Sequence, residues 1–126
     1  MLAEMAALAR AHGFPHLIAP VRPSLKDRYA LIAIERYMTW RRDDGELFDP
    51  WLRTHARAGA RLARPTPRSL RITGTIAEWE QWTAMRFPDD GQYTFPPGRA
   101  PLSVDRHVDH GAYWEPNIWV VHTAQA

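Results

Sequence analysis

Proline decides where this chain can hold regular structure. It fixes φ and removes a backbone donor, and eleven of the 126 residues are proline. Pro15, Pro20 and Pro23 bracket His16-Leu17-Ile18-Ala19, a short apolar run that reads as a strand. Without their donors, Pro20 and Pro23 require any pairing there to end or to lie on a sheet edge. Asp49-Pro50 has the opposite sense, a carboxylate N-cap with proline at the first helical position. The helix it opens is expected to run to about Ala58, with Gly59 as its terminator. Pro65 and Pro67 are expected to break the segment beyond Gly59. The stretch 88–101, PDDGQYTFPPGRAP, reads as turns around a short strand at Tyr93–Phe95.

Between these breaks the pattern alternates between helix and strand. Leu2, Met5, Ala6 and Ala9 form an apolar stripe at helical spacing over residues 2–12, closed by Gly13. Ser24 to Trp40 fits either a helix or irregular structure, and residues 41–45 form a polar turn. Leu70–Thr75 alternates like a strand, and Thr75 with Glu78 makes a capping box for a helix over Ile76–Met85. Leu102–Asp105 and Tyr113–His122 read as a strand pair joined by a His/Asp/Gly loop. The expectation is one α+β (α/β-like) domain over 1–126, with a small mixed sheet and flanking helices.

Composition excludes several classes. With no cysteine there are no disulfides, thiolate metal sites or Cys nucleophile. No run approaches the roughly 20 apolar residues of a membrane span, and MLAEMAALARAHGF lacks the features of a signal peptide. A cytoplasmic protein with no membrane partner is expected. The sixteen basic residues are fifteen Arg and Lys26, nearly cancelled by fourteen acidic residues. Nucleic-acid binding would show a one-sided excess, so no nucleic acid is expected. Six Trp suit a small core or a ligand cleft.

Some side chains have types suited to chemistry. His107-x-x-His110, with Asp105 and Asp109, has ligand types for Zn²⁺ or Fe²⁺, and His122 could approach across the hairpin. In a loop this spacing lacks one-face helical geometry, so no metal is expected. Arg53, Arg57, Arg61 and Arg64 would form one basic face suited to phosphate if the helix passed Gly59, and a solvated edge if it ended there. Glu78, Glu80 and Glu115 adjoin tryptophans. Glu78 is taken by the capping box and Glu80 faces solvent, which leaves Glu115 for recognition of a substrate amine.

The order helix–Gly–strand–V-R-P-S (21–24), a helix carrying H-x-R-x-G-A (55–60), and a terminal strand pair resembles the C-terminal half of the GNAT N-acetyltransferase superfamily. The resemblance implies transfer of an acyl group from acetyl-CoA or another acyl-CoA to a small-molecule amine. His55 falls near the position where that family commonly has a thiolate-protonating Tyr. An imidazole can do the same work because its pKa lies near working pH. Val21, Arg22 and Arg57 are the expected cofactor-binding residues, and Glu115 and Asn117 the expected substrate-binding ones. Leu25 stands where many members carry a cofactor-contacting Asn, and there is no room before Leu2 for a pyrophosphate-binding loop. The resemblance therefore implies a fragment or subunit completed by further sequence, by a complementing chain or as a homo-oligomer. The alternative is a non-catalytic α+β module whose Trp-rich region lines a cleft for a small ligand or protein.

Overall fold

The computed structural model describes residues 4, 7, 8, 11–13 and 16–123. The stripe of Leu2, Met5, Ala6 and Ala9 and the turn at Phe14-Pro15 lie outside the described residues. The elements are β1 (His16–Val21), a 3-10 turn (Lys26–Tyr29), α1 (Ile34–Tyr37), α2 (Pro50–Arg57), β2 (Arg61–Gly74), α3 (Ile76–Thr83), β3 (Gly91–Tyr93), β4 (Leu102–Asp105) and β5 (His110–Thr123).

The α2 helix starts where its cap says it should. Asp49 accepts from the backbone N–H groups of Trp51 (2.9 Å) and Leu52 (3.1 Å), and Gly59 ends the helix with φ +92°, in the left-handed region where a Cβ is penalised. Arg61 and Arg64 consequently lie on β2, and the four arginines share no helical face. The capping box opens α3. Thr75 Oγ1 accepts from Glu78 N at 3.1 Å, and Glu78 Oε1 accepts from Thr75 N at 2.9 Å. This helix closes at Thr83, before Met85, because Ala84 turns left-handed at φ 56°.

The fold is α+β, with a five-stranded sheet that is antiparallel at each described pairing rather than mixed. Its axis is β5. Along one edge β5 pairs with β2 from Gly74↔Gly111 to Arg61↔Val121. Its other edge is shared by β4 near the start (Asp105↔His110, Leu102↔Tyr113) and β1 near the end (Val21↔Ile118, His16↔Thr123). β3 lies beyond β4, two residues before the expected strand start. Between Ser24 and Trp40 the chain forms the 3-10 turn and the one-turn α1.

The expected break at Pro65 and Pro67 does not occur, since β2 runs through both. Two conditions allow this. Among the described residues β2 pairs with β5 alone, so a missing donor can face away from the ladder. The register also shifts between Leu62 and Arg64 and between Thr66 and Leu70, and these bulges absorb unpaired residues. β1 passes through Pro20 as an edge strand, as its sequence requires.

Burial alternates along β5 with period two up to Glu115 and again from Pro116, with a phase change between these two buried neighbours that leaves Tyr113, Ile118 and Val120 all buried. They serve two clusters. Val21, Ile34, Tyr37, Leu47, Leu52, Ile118 and Val120 form the first, to which Tyr29, Trp40 and Phe48 add an aromatic layer. Ile76, Trp79, Phe87, Leu102, Val104 and Tyr113 form the second. No described helix is long and apolar enough to cross a membrane.

Candidate functional site

Three glycines let aromatic rings close onto the backbone beside the second cluster. A Cβ at Gly111 would sit 2.5 Å from the Trp79 ring, one at Gly74 2.9 Å from Trp82, and one at Gly98 2.7 Å from Phe95. Trp79 is thereby pinned, and its indole N–H donates to Gly111 O at 3.0 Å. Trp82 packs edge-on against it with ring centroids 5.1 Å apart, yet stays 54% exposed. The result is an open cleft of about 340 Å³ between Ile72, Trp79, Trp82, Phe95, Pro97 and Gly98, with Arg99, Tyr113 and Glu115 as its polar lining.

These polar groups form a fixed network. Arg99 donates through Nη1 to Glu115 Oε1 (3.2 Å) and through Nε to Pro23 O (3.3 Å), and its backbone N–H donates to Tyr113 Oη (2.9 Å). Tyr113 donates its hydroxyl to Glu115 Oε2. Burial, and then the hydrogen bond to the Glu115 carboxylate, push the Tyr113 phenol well above its ordinary range, so it stays a donor. Arg22 Nε approaches Glu115 Oε1 at 3.8 Å from an exposed position. Behind the network, the buried Lys26 donates to Tyr29 O (2.8 Å), Ala30 O (3.4 Å) and Arg99 O (2.8 Å). Burial lowers its pKa to about 8.

Sequence reasoning singled out Glu115 and Arg22, and the structure brings them together. It missed Arg99, Tyr113 and Lys26. Lys26 carried a signal in being the single lysine of an arginine-rich chain, whereas nothing local marks Arg99. Asn117 does not line this cleft, because its amide nitrogen donates to Ser69 Oγ at 2.8 Å. Val21 is packed in the first cluster opposite Ile118.

His55 lies apart from the cleft, on the inner side of α2. It is 2% exposed, its Nδ1 is 2.9 Å from His122 Nε2, and its ring meets Trp51 edge-on at 4.5 Å. Its Nε2 is buried with no hydrogen-bond partner among the described residues. Burial, then the neighbouring His122, lower the His55 pKa. His122 therefore does not join His107 and His110. It lies one residue before the end of the strand that His110 begins, and twelve residues of strand span roughly 40 Å. No group of three or more His, Cys, Asp or Glu arranged to hold an ion occurs among the described residues.

Arg57 lines a separate groove of about 520 Å³, together with Arg41, Arg53 and Glu46. There its Nε donates to Glu46 Oε1 at 2.7 Å, while Arg53 and Arg41 donate to the carbonyls of Leu47 (2.9 Å) and Gly45 (2.8 Å). The groove pairs phosphate-type donors with one carboxylate that already occupies Arg57.

The chain is 31% identical to a protein of Aspergillus versicolor named arginine N-acetyltransferase avaD, over 140 aligned positions. The alignment takes in 97% of this chain and 48% of that protein, so the chain spans about half the length of the relative it matches. No family model and no solved structure matches it. The sequence similarity thus relates nearly the whole chain to about half of a protein named for N-acetyl transfer.

Proposed function

We propose that this chain works in N-acyl transfer, moving an acyl group from acyl-CoA (acetyl-CoA in the first instance) to an amine, as a single-domain fragment or subunit completed by further sequence or another chain. The observation that carries the reading is the similarity, over nearly its full length, to a protein named arginine N-acetyltransferase. That name makes arginine the first acceptor to test. In the reaction the amine nitrogen attacks the thioester carbonyl, the C–S bond breaks, the amine loses a proton and the thiolate gains one. Orientation of the two substrates supplies much of such a rate.

His55 is our assignment for the proton donor to the thiolate. Its support is the unpartnered, buried Nε2, while the Nδ1 contact with His122 fixes the ring. Arg57, with Arg41 and Arg53, is our assignment for phosphate contact, because guanidinium groups suit phosphate oxygens. Arg22 stands beside the cleft's polar end.

The test is release of free thiol from acetyl-CoA by the 126-residue chain together with the sequence or chain that completes it, with and without arginine. Arginine-dependent release is expected, and His55→Phe should lower kcat roughly 100-fold or more. Turnover that survives that substitution removes His55 from the chemistry. Absence of both thiol release and acetyl-CoA binding would overturn the reading. The aromatic cleft supports the second reading, a binding module, which ligand binding without turnover would favour.

A further inference from the structure

We infer that the aromatic cleft holds the acceptor, and that it takes an α-amino acid by both ends: carboxylate on Arg99, planar side-chain group against Trp82. The word acceptor rests on the acyl-transfer reading, but the ligand chemistry rests on the cleft itself. At about 340 Å³ it lies at the lower end of the roughly 300–1,000 Å³ of small-molecule pockets, and it has their usual apolar walls with few polar groups.

Its two ends differ in chemistry. At the inner end Glu115 has both oxygens engaged, one by Arg99 and one by Tyr113. Arg99 uses Nε and Nη1, and among the described residues its Nη2 has no acceptor. Its side chain is 23% exposed, and Arg22 adds a second guanidinium beside the same carboxylate. Two cations against one anion leave this end positive, so it receives a carboxylate better than an amine. Glu115 then acts through Arg99, as a positioning residue.

The outer end is aromatic. A Cβ at Gly74 would lie 2.9 Å from the Trp82 ring, and that indole stays 54% exposed. An exposed indole face favours a planar cation. A zwitterion with a guanidinium side chain matches both ends at once.

Binding to the full 126-residue chain can be measured by calorimetry without acyl donor. The probes are L-arginine, agmatine (which lacks the carboxylate) and L-norvaline (which lacks the guanidinium). L-arginine should bind, and each truncated probe should bind at least about 10-fold more weakly. Trp82→Ala should weaken L-arginine binding about 10-fold or more at a temperature where the variant stays folded, and Arg99→Gln should abolish discrimination between arginine and agmatine. No arginine binding, equal binding of arginine and agmatine, or indifference to Trp82→Ala would each overturn the inference, and the probe comparison stands even if Arg99→Gln fails to fold. Binding to the chain, with no thiol release by the completed protein, keeps this site and removes the acyl-transfer reading. Thiol release whose KM for arginine is unmoved by Trp82→Ala keeps the reading and removes this site.

Discussion

Asp49 does more than cap a helix. Besides the two amides of α2, its carboxylate accepts from Ser24 N (3.1 Å), Leu25 N (3.0 Å) and Tyr37 Oη (2.5 Å), all while 1% exposed. Removing a cap alone costs about 1 kcal/mol, and each buried donor left unpaired costs a further ~1–3 kcal/mol. Asp49→Ala should therefore cost about 4 kcal/mol or more in urea unfolding, with Asp49→Asn falling between it and the native protein because one acceptor oxygen remains. A loss near 1 kcal/mol would show that only the cap matters. The cap was legible because Asp49-Pro50 is a local signal, but the bonds from residues 24, 25 and 37 depend on tertiary packing. The same limit hid the partner of His55, since His122 lies 67 positions away and no spacing rule connects them.

At the scale of elements, glycine substitutions separate backbone strain from packing. Gly59 has φ +92° and open space around its absent Cβ, so Gly59→Ala pays only for the left-handed backbone, roughly 1–2 kcal/mol. Gly111 has no such φ, but its Cβ would lie 2.5 Å from the Trp79 ring. Gly111→Ala should cost about 1–3 kcal/mol by overpacking and should also shift Trp fluorescence, which Gly59→Ala should leave unchanged. Equal effects on fluorescence would refute the distinction. Both helix starts could be read from sequence, because each comes from local pattern. The path of β2 through two prolines could not. Whether a missing donor matters depends on which strand edge faces a neighbour, and that is settled only when β5 docks between β1 and β2.

Across the whole molecule, the two apolar clusters meet at a polar seam, where Lys26 ties the 3-10 turn to the Arg99 segment. Its ammonium has three carbonyl acceptors and no carboxylate among its hydrogen-bond partners, so burial prevails and the pKa falls from 10.5 to about 8. Between these two values the unfolded chain holds more protons at this site than the folded one, so this group's contribution raises stability as pH increases. Below about 8 both states are protonated and the full burial cost remains. Tyr37 and Tyr113 act in the opposite direction. Burial raises both phenols above their ordinary 10.0, so above pH 10 the unfolded chain loses protons that the fold retains, and stability drops. Urea unfolding should thus show ΔG climbing from pH 8 to about 10 and turning over beyond it. Lys26→Met should flatten the climb and keep the turnover, whereas Tyr113→Phe should keep the climb and soften the turnover. A climb that persists in Lys26→Met would place its origin in another group and show that the seam carries its lysine without strain.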